Sequence, residues 1–218
     1  MKADVGPTPP LPSGKAAPPA RQSQKEATRQ RVIAAARELF DTHGYEGTTI
    51  REIARHAGVA VGSVFTTFAS KGEILSEVMA ARLDPLYAEI DRVMPHVRGS
   101  TADRLRTMFA VHFEFEARHV RLFLSHIAAA YDWTLAPGVR PYGRNQRLRE
   151  VIRETLRRGQ AEGDVRPDAD LDEVIDLLVS AYAWTYRLVV TSNADAKAMI
   201  AVMDRQIGLI ADGFALRA

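Results

Sequence analysis

Three histidines, His112, His119 and His126, recur every seven residues in the middle of the chain. On a helix that step is two turns, about 10.5 Å. Metal–nitrogen bonds are about 2.0–2.1 Å long, so neighbours in this series cannot share one ion unless the chain folds back. His112 and Glu116 stand at i, i+4 and offer half a metal site, but no second pair completes it. Glu114 and Glu116 are two residues apart and so lie on different faces of a helix, which does not suit paired acid–base chemistry. The chain has no cysteine, hence no thiolate nucleophile, thiolate metal site or disulfide framework. It contains no G-x-S-x-G, H-E-x-x-H or phosphate loop. These residues predict a protein that is not an enzyme, with no metal and no cofactor.

A second stretch is chemically suggestive in another way. Residues 58–68 read GVAVGSVFTTF and carry no Arg, Lys, Asn or Gln, the side chains that most often read base edges. Taken as a helix over 61–68, the stretch divides in two. Val61, Val64, Phe65 and Phe68 fall at i, i+3, i+4 and i+7 and share a face that should seat on neighbouring helices. Gly62, Ser63, Thr66 and Thr67 make the opposite face. It is small and hydroxylic, so the helix backbone can approach a groove floor, its hydroxyls can bond base edges, and a Thr methyl can meet a thymine methyl. Thr49, at the start of the preceding helix, combines a hydroxyl with free N–H groups that suit a phosphate.

The elements that must position these residues are helical throughout, because no segment sustains a period-2 alternation. Residues 1–24 hold six of the eleven prolines and few large apolar groups, and read as a disordered Pro-rich tail. A first helix is expected over about 25–43, with Val32, Ile33, Ala36, Leu39 and Phe40 as its stripe and Gly44 as its stop. Thr49-Ile50-Arg51-Glu52 is a capping box opening a second helix, and Gly58 ends it. Ser70 caps a long helix over about 71–93. Later helices are expected over 101–118, 120–134, 142–162, 171–191 and 195–215.

In this order and spacing, Arg29–Leu75 resembles the N-terminal DNA-binding domain of the TetR family of transcriptional regulators. The residues that carry the likeness are Ile33, Ala35-Ala36, Leu39-Phe40, Gly44-Tyr45, Thr48-Thr49-Ile50, Ile53-Ala54, Ala57-Gly58-Val59, Gly62-Ser63-Val64-Phe65, Phe68, Ser70-Lys71 and Ile74-Leu75. The resemblance implies an all-α chain. Residues 25–75 would form a three-helix helix-turn-helix domain, and 76–218 a larger helical domain for ligand binding and dimerisation. It implies DNA contacts from Thr48, Thr49, Arg51, Gly62, Ser63, Phe65, Thr66, Thr67 and Lys71. Three positions depart from the family pattern. Phe65 replaces a Tyr and lacks its hydroxyl, Thr67 replaces an aromatic with a polar tip, and Ala60 replaces a capping Ser or Thr, a bond worth roughly 0.5–2 kcal/mol. Charge agrees with the division. Residues 1–75 carry ten Lys and Arg against seven Asp and Glu, with Arg21, Lys25, Arg29 and Arg31 clustered at the first helix as a phosphate-facing edge.

Beyond residue 76 the family implies an effector pocket and a two-fold interface. Phe109, His112, Phe113, Phe123, His126, Trp133, Tyr182 and Tyr186 are the expected pocket residues, apolar bodies with a few polar tips. Val174, Leu178, Ala181, Val202, Ile207 and Ile210, on two broad apolar helix faces near the C-terminus, are the expected dimer interface. The expected partners are a double-stranded DNA operator, a second copy of the chain and an unknown small-molecule effector. No membrane partner is expected, since no uninterrupted apolar run approaches the roughly 20 residues of a span, and a cytoplasmic location is the expectation. The function so implied is a ligand-responsive homodimeric repressor on a palindromic operator, released by a small, largely apolar molecule. A non-specific architectural or protein-interaction dimer without a ligand switch is the alternative.

Overall fold

The computed structural model describes residues 20–130 and 145–214, and every described element is helical. Helix α1 (Ala20–His43) begins five residues before the expected boundary, so residues 20–24 belong to the helix and not to the Pro-rich tail. Pro18-Pro19 immediately precede it, where proline is tolerated because the first helical N–H groups have no intrahelical partner. Val32, Ala35, Ala36, Leu39 and Phe40 recur at helical spacing and are all buried. Gly44 then takes φ 75°, the left-handed conformation that closes the helix at low steric cost.

Helix α2 (Ile50–His56) opens on the predicted capping box. The Glu52 N–H donates to Thr49 Oγ1 (3.2 Å), and the Thr49 N–H donates to Glu52 Oε2 (2.8 Å). Gly58, at φ 64°, turns the chain into α3 (Val61–Phe65). That helix stops three residues earlier than expected, after starting at Ala60 without a side-chain cap. Helix α4 (Lys71–Val93) has the expected bounds, and Ser70 caps it by accepting from the Glu73 N–H. Its buried residues run from Ile74 to Ile90, and it packs against α1, α5 and α6. It therefore crosses from the N-terminal unit into the C-terminal one without a break.

The remaining helices are α5 (Thr101–Glu116), α6 (Val120–Ala130), α7 (Gln146–Glu162), α8 (Leu171–Thr185), α9 (Arg187–Ser192) and α10 (Ala196–Phe214). A 3₁₀ turn precedes α5 and another joins α5 to α6. The single helix expected over 171–191 is two, divided at Tyr186. Helix α10 packs on α5 and α8, and α7 packs on both of those in turn. At the corner where α7 meets α5, a Cβ on Gly159 would stand 2.1 Å from Thr101 Oγ1 and 2.6 Å from Val165 Cγ2, so only glycine fits. The same corner is tied by Thr101, whose N–H and hydroxyl donate to Asp164, and by buried Arg104, which pairs with Glu162 at 2.7 Å. Leu171–Ser192 has the length and hydropathy of a membrane span. It also carries Asp172, Glu173, Asp176 and Arg187, and it packs Ile175, Leu178 and Tyr182 into the helical core.

Candidate nucleic-acid interface and effector site

The N-terminal unit presents a small exposed surface built by α2, α3 and the ends around them. Val64 and Phe68 seat α3 on the core and are fully enclosed, at 0% and 2% exposure. Val61 and Phe65 do not join them, contrary to the shared apolar face read from their spacing. They are exposed at 37% and 56%. Val64 is the one residue of α3 that turns to the core, and Val61 and Phe65, three before and one after it, stay outside; Phe68 reaches the core from the turn beyond the helix. Gly62 and Thr66 are exposed on the same helix, with Ser63 and Thr67 half-buried. The Thr66 and Thr67 hydroxyls both donate to the Ser63 carbonyl, at 3.0 and 2.8 Å.

Thr49 and Arg51 stand exposed at the start of α2. The Thr49 N–H and hydroxyl both donate to Glu52 Oε2, at 2.8 Å each, so the free donors expected there are engaged in the capping box and Arg51 is the cation at that end. Three basic or polar positions read from the sequence turn out to be occupied within the fold. Thr48 is buried, and its hydroxyl donates to the Gly44 carbonyl at 2.8 Å. Its side chain is therefore a structural pin and does not reach the surface. Lys71 donates from Nζ to the Tyr45 and Thr48 carbonyls, at 2.9 and 3.1 Å, and lies 4.1 Å from the Tyr45 ring centroid. Two of its three ammonium hydrogens are thus engaged inside the chain. Arg29 pairs with Glu77 at 2.5 Å and stacks on Phe68, while Lys25 and Arg31 of the first-helix cluster are exposed; the Arg21 side chain lies outside the described residues. Tyr45, read from the sequence only as part of the family likeness, holds Lys71 through its carbonyl and its ring.

In the C-terminal unit the structure gathers five of the expected pocket residues. Phe109, His112, Phe113, Tyr182 and Tyr186 are buried, with ring centroids 5.3–6.4 Å apart in a chain of tilted and edge contacts. Glu116 sits among them at 1% exposure. The Tyr182 hydroxyl donates to its carboxylate at 2.6 Å, and His112 Nδ1 lies 3.3 Å from the same oxygen. Burial, with the Glu116 charge beside it, holds the Tyr182 phenol well above its usual range. Glu116 is the residue missed here, although its i+4 spacing from His112 had already marked it as a polar partner. His112 Nε2, Tyr186 Oη and His126 Nδ1 are buried with no hydrogen-bond partner among the described residues.

Phe123 and His126, on α6, are also buried. His126 lines a cavity of about 360 Å³ with Leu83, Tyr87, Asn145 and Arg147, and its burial pushes the imidazole pKa down to about 4. The Tyr87 hydroxyl donates to Asn145 Oδ1 at 2.6 Å. Trp133 lies outside the described residues.

The expected dimer residues separate into two sets. Leu178 and Ile207 are 0% exposed within one chain, because α8 and α10 pack on each other and on α5 through them. They are core residues and not interface residues. Val174, Ala181, Val202 and Ile210 are half-buried. Beside them Leu177, Trp184 and Leu209 are the large exposed apolar side chains of the same two helices. Sequence reasoning missed these three, although Leu177, Ala181 and Trp184 stand at i, i+4 and i+7 and so share a face.

A capped helix, a glycine turn and a short helix with small outward residues, joined by one long helix to a larger helical unit, define a helix-turn-helix regulator. The profile described as "Bacterial regulatory proteins, tetR family" matches residues 32–78, and "Tetracyclin repressor-like, C-terminal domain" matches residues 95–205. The chain belongs to the TetR family of DNA-binding transcriptional regulators, and it is a regulator and not an enzyme. It is 30% identical over 157 residues to the HTH-type transcriptional repressor KstR2 of Mycolicibacterium smegmatis, covering 72% of this chain and 76% of that one. The crystal structure of Thermus thermophilus FadR, a TetR-family repressor in complex with lauroyl-CoA, is 25% identical with a TM-score of 0.70, over 87% of this chain and 96% of that one. The ketosteroid regulator KstR2 of Mycobacterium tuberculosis is likewise 25% identical, with a TM-score of 0.54, over 87% and 95% of the two chains.

Proposed function

We propose that the chain is a homodimeric repressor that holds a palindromic operator through α3 and the N-terminus of α2, and releases it when a small, largely apolar effector enters the C-terminal unit. The observation that carries this reading is the pairing of an outward α3 face, seated by Val64 and Phe68, with a buried aromatic cluster in which His112 Nε2 and Tyr186 Oη have no partner among the described residues. Buried polar atoms without partners cost free energy, and an apolar ligand with one or two polar groups would recover it. The lauroyl-CoA bound by the Thermus thermophilus relative supports an effector with a long apolar part. The DNA contacts in this reading come from Thr49, Arg51, Gly62, Ser63, Phe65, Thr66 and Thr67, with Lys71 holding the platform. The exposed Leu177, Trp184 and Leu209 would be covered by a second copy of α8 and α10. That pairing would present two α3 helices roughly 34–36 Å apart, or a multiple of it, on DNA in the cytoplasm. The effector shifts DNA affinity only by its different affinity for the bound and free forms.

The test is selection of duplexes from a random pool, followed by titration of the selected and a scrambled duplex at fixed salt. An inverted repeat bound at least ~10³-fold tighter than the scrambled duplex is expected; a ratio near one rejects the repressor. Trp184→Glu with Leu177→Glu should give monomers in sedimentation equilibrium and lose the inverted-repeat preference.

A further inference from the structure

The hydrogen-bonding state of the α3 face restricts which bases it can read. A threonine hydroxyl has one hydrogen. In Thr66 and Thr67 that hydrogen goes to the Ser63 carbonyl, at 3.0 and 2.8 Å, so both hydroxyls present only lone pairs outward. The Ser63 hydroxyl can turn either way and adds no preference. Around them the exposed surface is apolar: the Phe65 ring at 56% exposure and Val61 at 37%. Guanine offers the major groove only the acceptors N7 and O6, which need the forked donors of Arg or Lys; α3 has neither. Adenine N6 and cytosine N4 both offer a hydrogen to an acceptor, so the hydroxyls admit either; thymine alone offers a methyl to an apolar side chain, and that contact favours A·T.

Resting on the assignment of α3 as the groove-entering helix, we infer that the centre of each operator half-site is A·T-rich. It is read by adenine N6 donating to the Thr66 and Thr67 hydroxyls and by thymine methyls against Phe65 and Val61, with no guanine preference under α3. Phe65 is then a specificity residue and not a damaged phosphate contact. Arg51, exposed on α2, is the neighbouring side chain equipped to bind guanine, and it lies outside this face.

The experiment uses the full chain and a duplex selected from a random pool. Thymines in the half-site centre are replaced one at a time by deoxyuridine, which deletes only the C5-methyl. Loss of one buried methyl should weaken wild-type binding about fourfold at one or two positions. Phe65→Ala, whose side chain supports no core contact, should keep the wild-type melting temperature and show no loss at one of those positions. A guanine preference that disappears in Arg51→Ala is assigned to α2 and agrees with the inference. A central guanine preference that persists in Arg51→Ala overturns it, as does indifference to every thymine replacement. A pool that yields no enriched sequence at all rejects the assignment of α3 itself, a result distinct from either.

Discussion

The outward face of the N-terminal unit and the aromatic core of the C-terminal unit close their polar groups in different ways. On the first, the hydroxyls find partners close by in sequence: Thr49 with Glu52, Thr66 and Thr67 with Ser63, and Thr48 beneath them with Gly44. On that face the threonine hydrogens are spent locally, and Thr66 and Thr67 present only lone pairs outward. In the second, Glu116 meets Tyr182 across 66 residues, and His112 Nε2 and Tyr186 Oη beside them have no described partner. A surface that must be presented unchanged to DNA is best fixed by short-range bonds. On the proposed reading, a core that accepts an effector keeps bonding capacity in reserve.

The sharpest way to break this comparison is inside α3's surroundings. Phe68→Ala should destabilise the chain by about 3–5 kcal/mol in denaturant unfolding, the cost of emptying an enclosed aromatic site. Phe65→Ala should change stability by under about 0.5 kcal/mol. Equal losses would mean that both rings seat the helix.

Acid should act on the C-terminal unit next. The unfolded chain binds a proton at His126 near the usual pKa of about 6.5, whereas the folded chain resists until about 4. Between those values the unfolded state holds more protons, so stability falls as pH is lowered, by about 1.4 kcal/mol per unit for this group. His126→Leu should flatten that part of the slope in unfolding measured from pH 7 to pH 4.

Tyr182→Phe removes the hydroxyl that donates to Glu116 and should cost about 1–3 kcal/mol, while leaving affinity for the selected duplex unchanged in the absence of effector. Smallest of all, Thr49→Ala should cost about 1 kcal/mol through loss of the capping box. The same change should also weaken DNA binding, and a stability loss without a binding loss would confine Thr49 to capping.

The same contrast explains what could be read before any coordinates. The α2 capping box, the Gly58 turn and the bounds of α4 rest on residues within a few positions of one another, so local pattern sufficed. Phe65 was misjudged because spacing groups it with Val61, Val64 and Phe68 but does not say which edge of that stripe meets the rest of the unit, and only Val64 and Phe68 do. Leu178 and Ile207 were assigned to an interface because an apolar stripe looks alike whether it meets its own chain or a partner's. Only the packing of α10 on α5 and α8 separates the two cases. Lys71 was legible as the cation that the family likeness places on a phosphate, but not as a donor to two backbone carbonyls 23 and 26 residues upstream.

One contact bears on engineering. Arg82, on the second turn past the end of the predicted DNA-binding unit, donates to both carboxylate oxygens of Asp41 on α1, at 2.6 and 2.7 Å. Arg29 reaches Glu77 in the same span. A chimera that grafts a new reading head at residue 75 would sever both ties and strand Val78 and Met79. The transplantable cassette ends after Arg82, and junctions placed there should yield hybrids that keep their donor's operator.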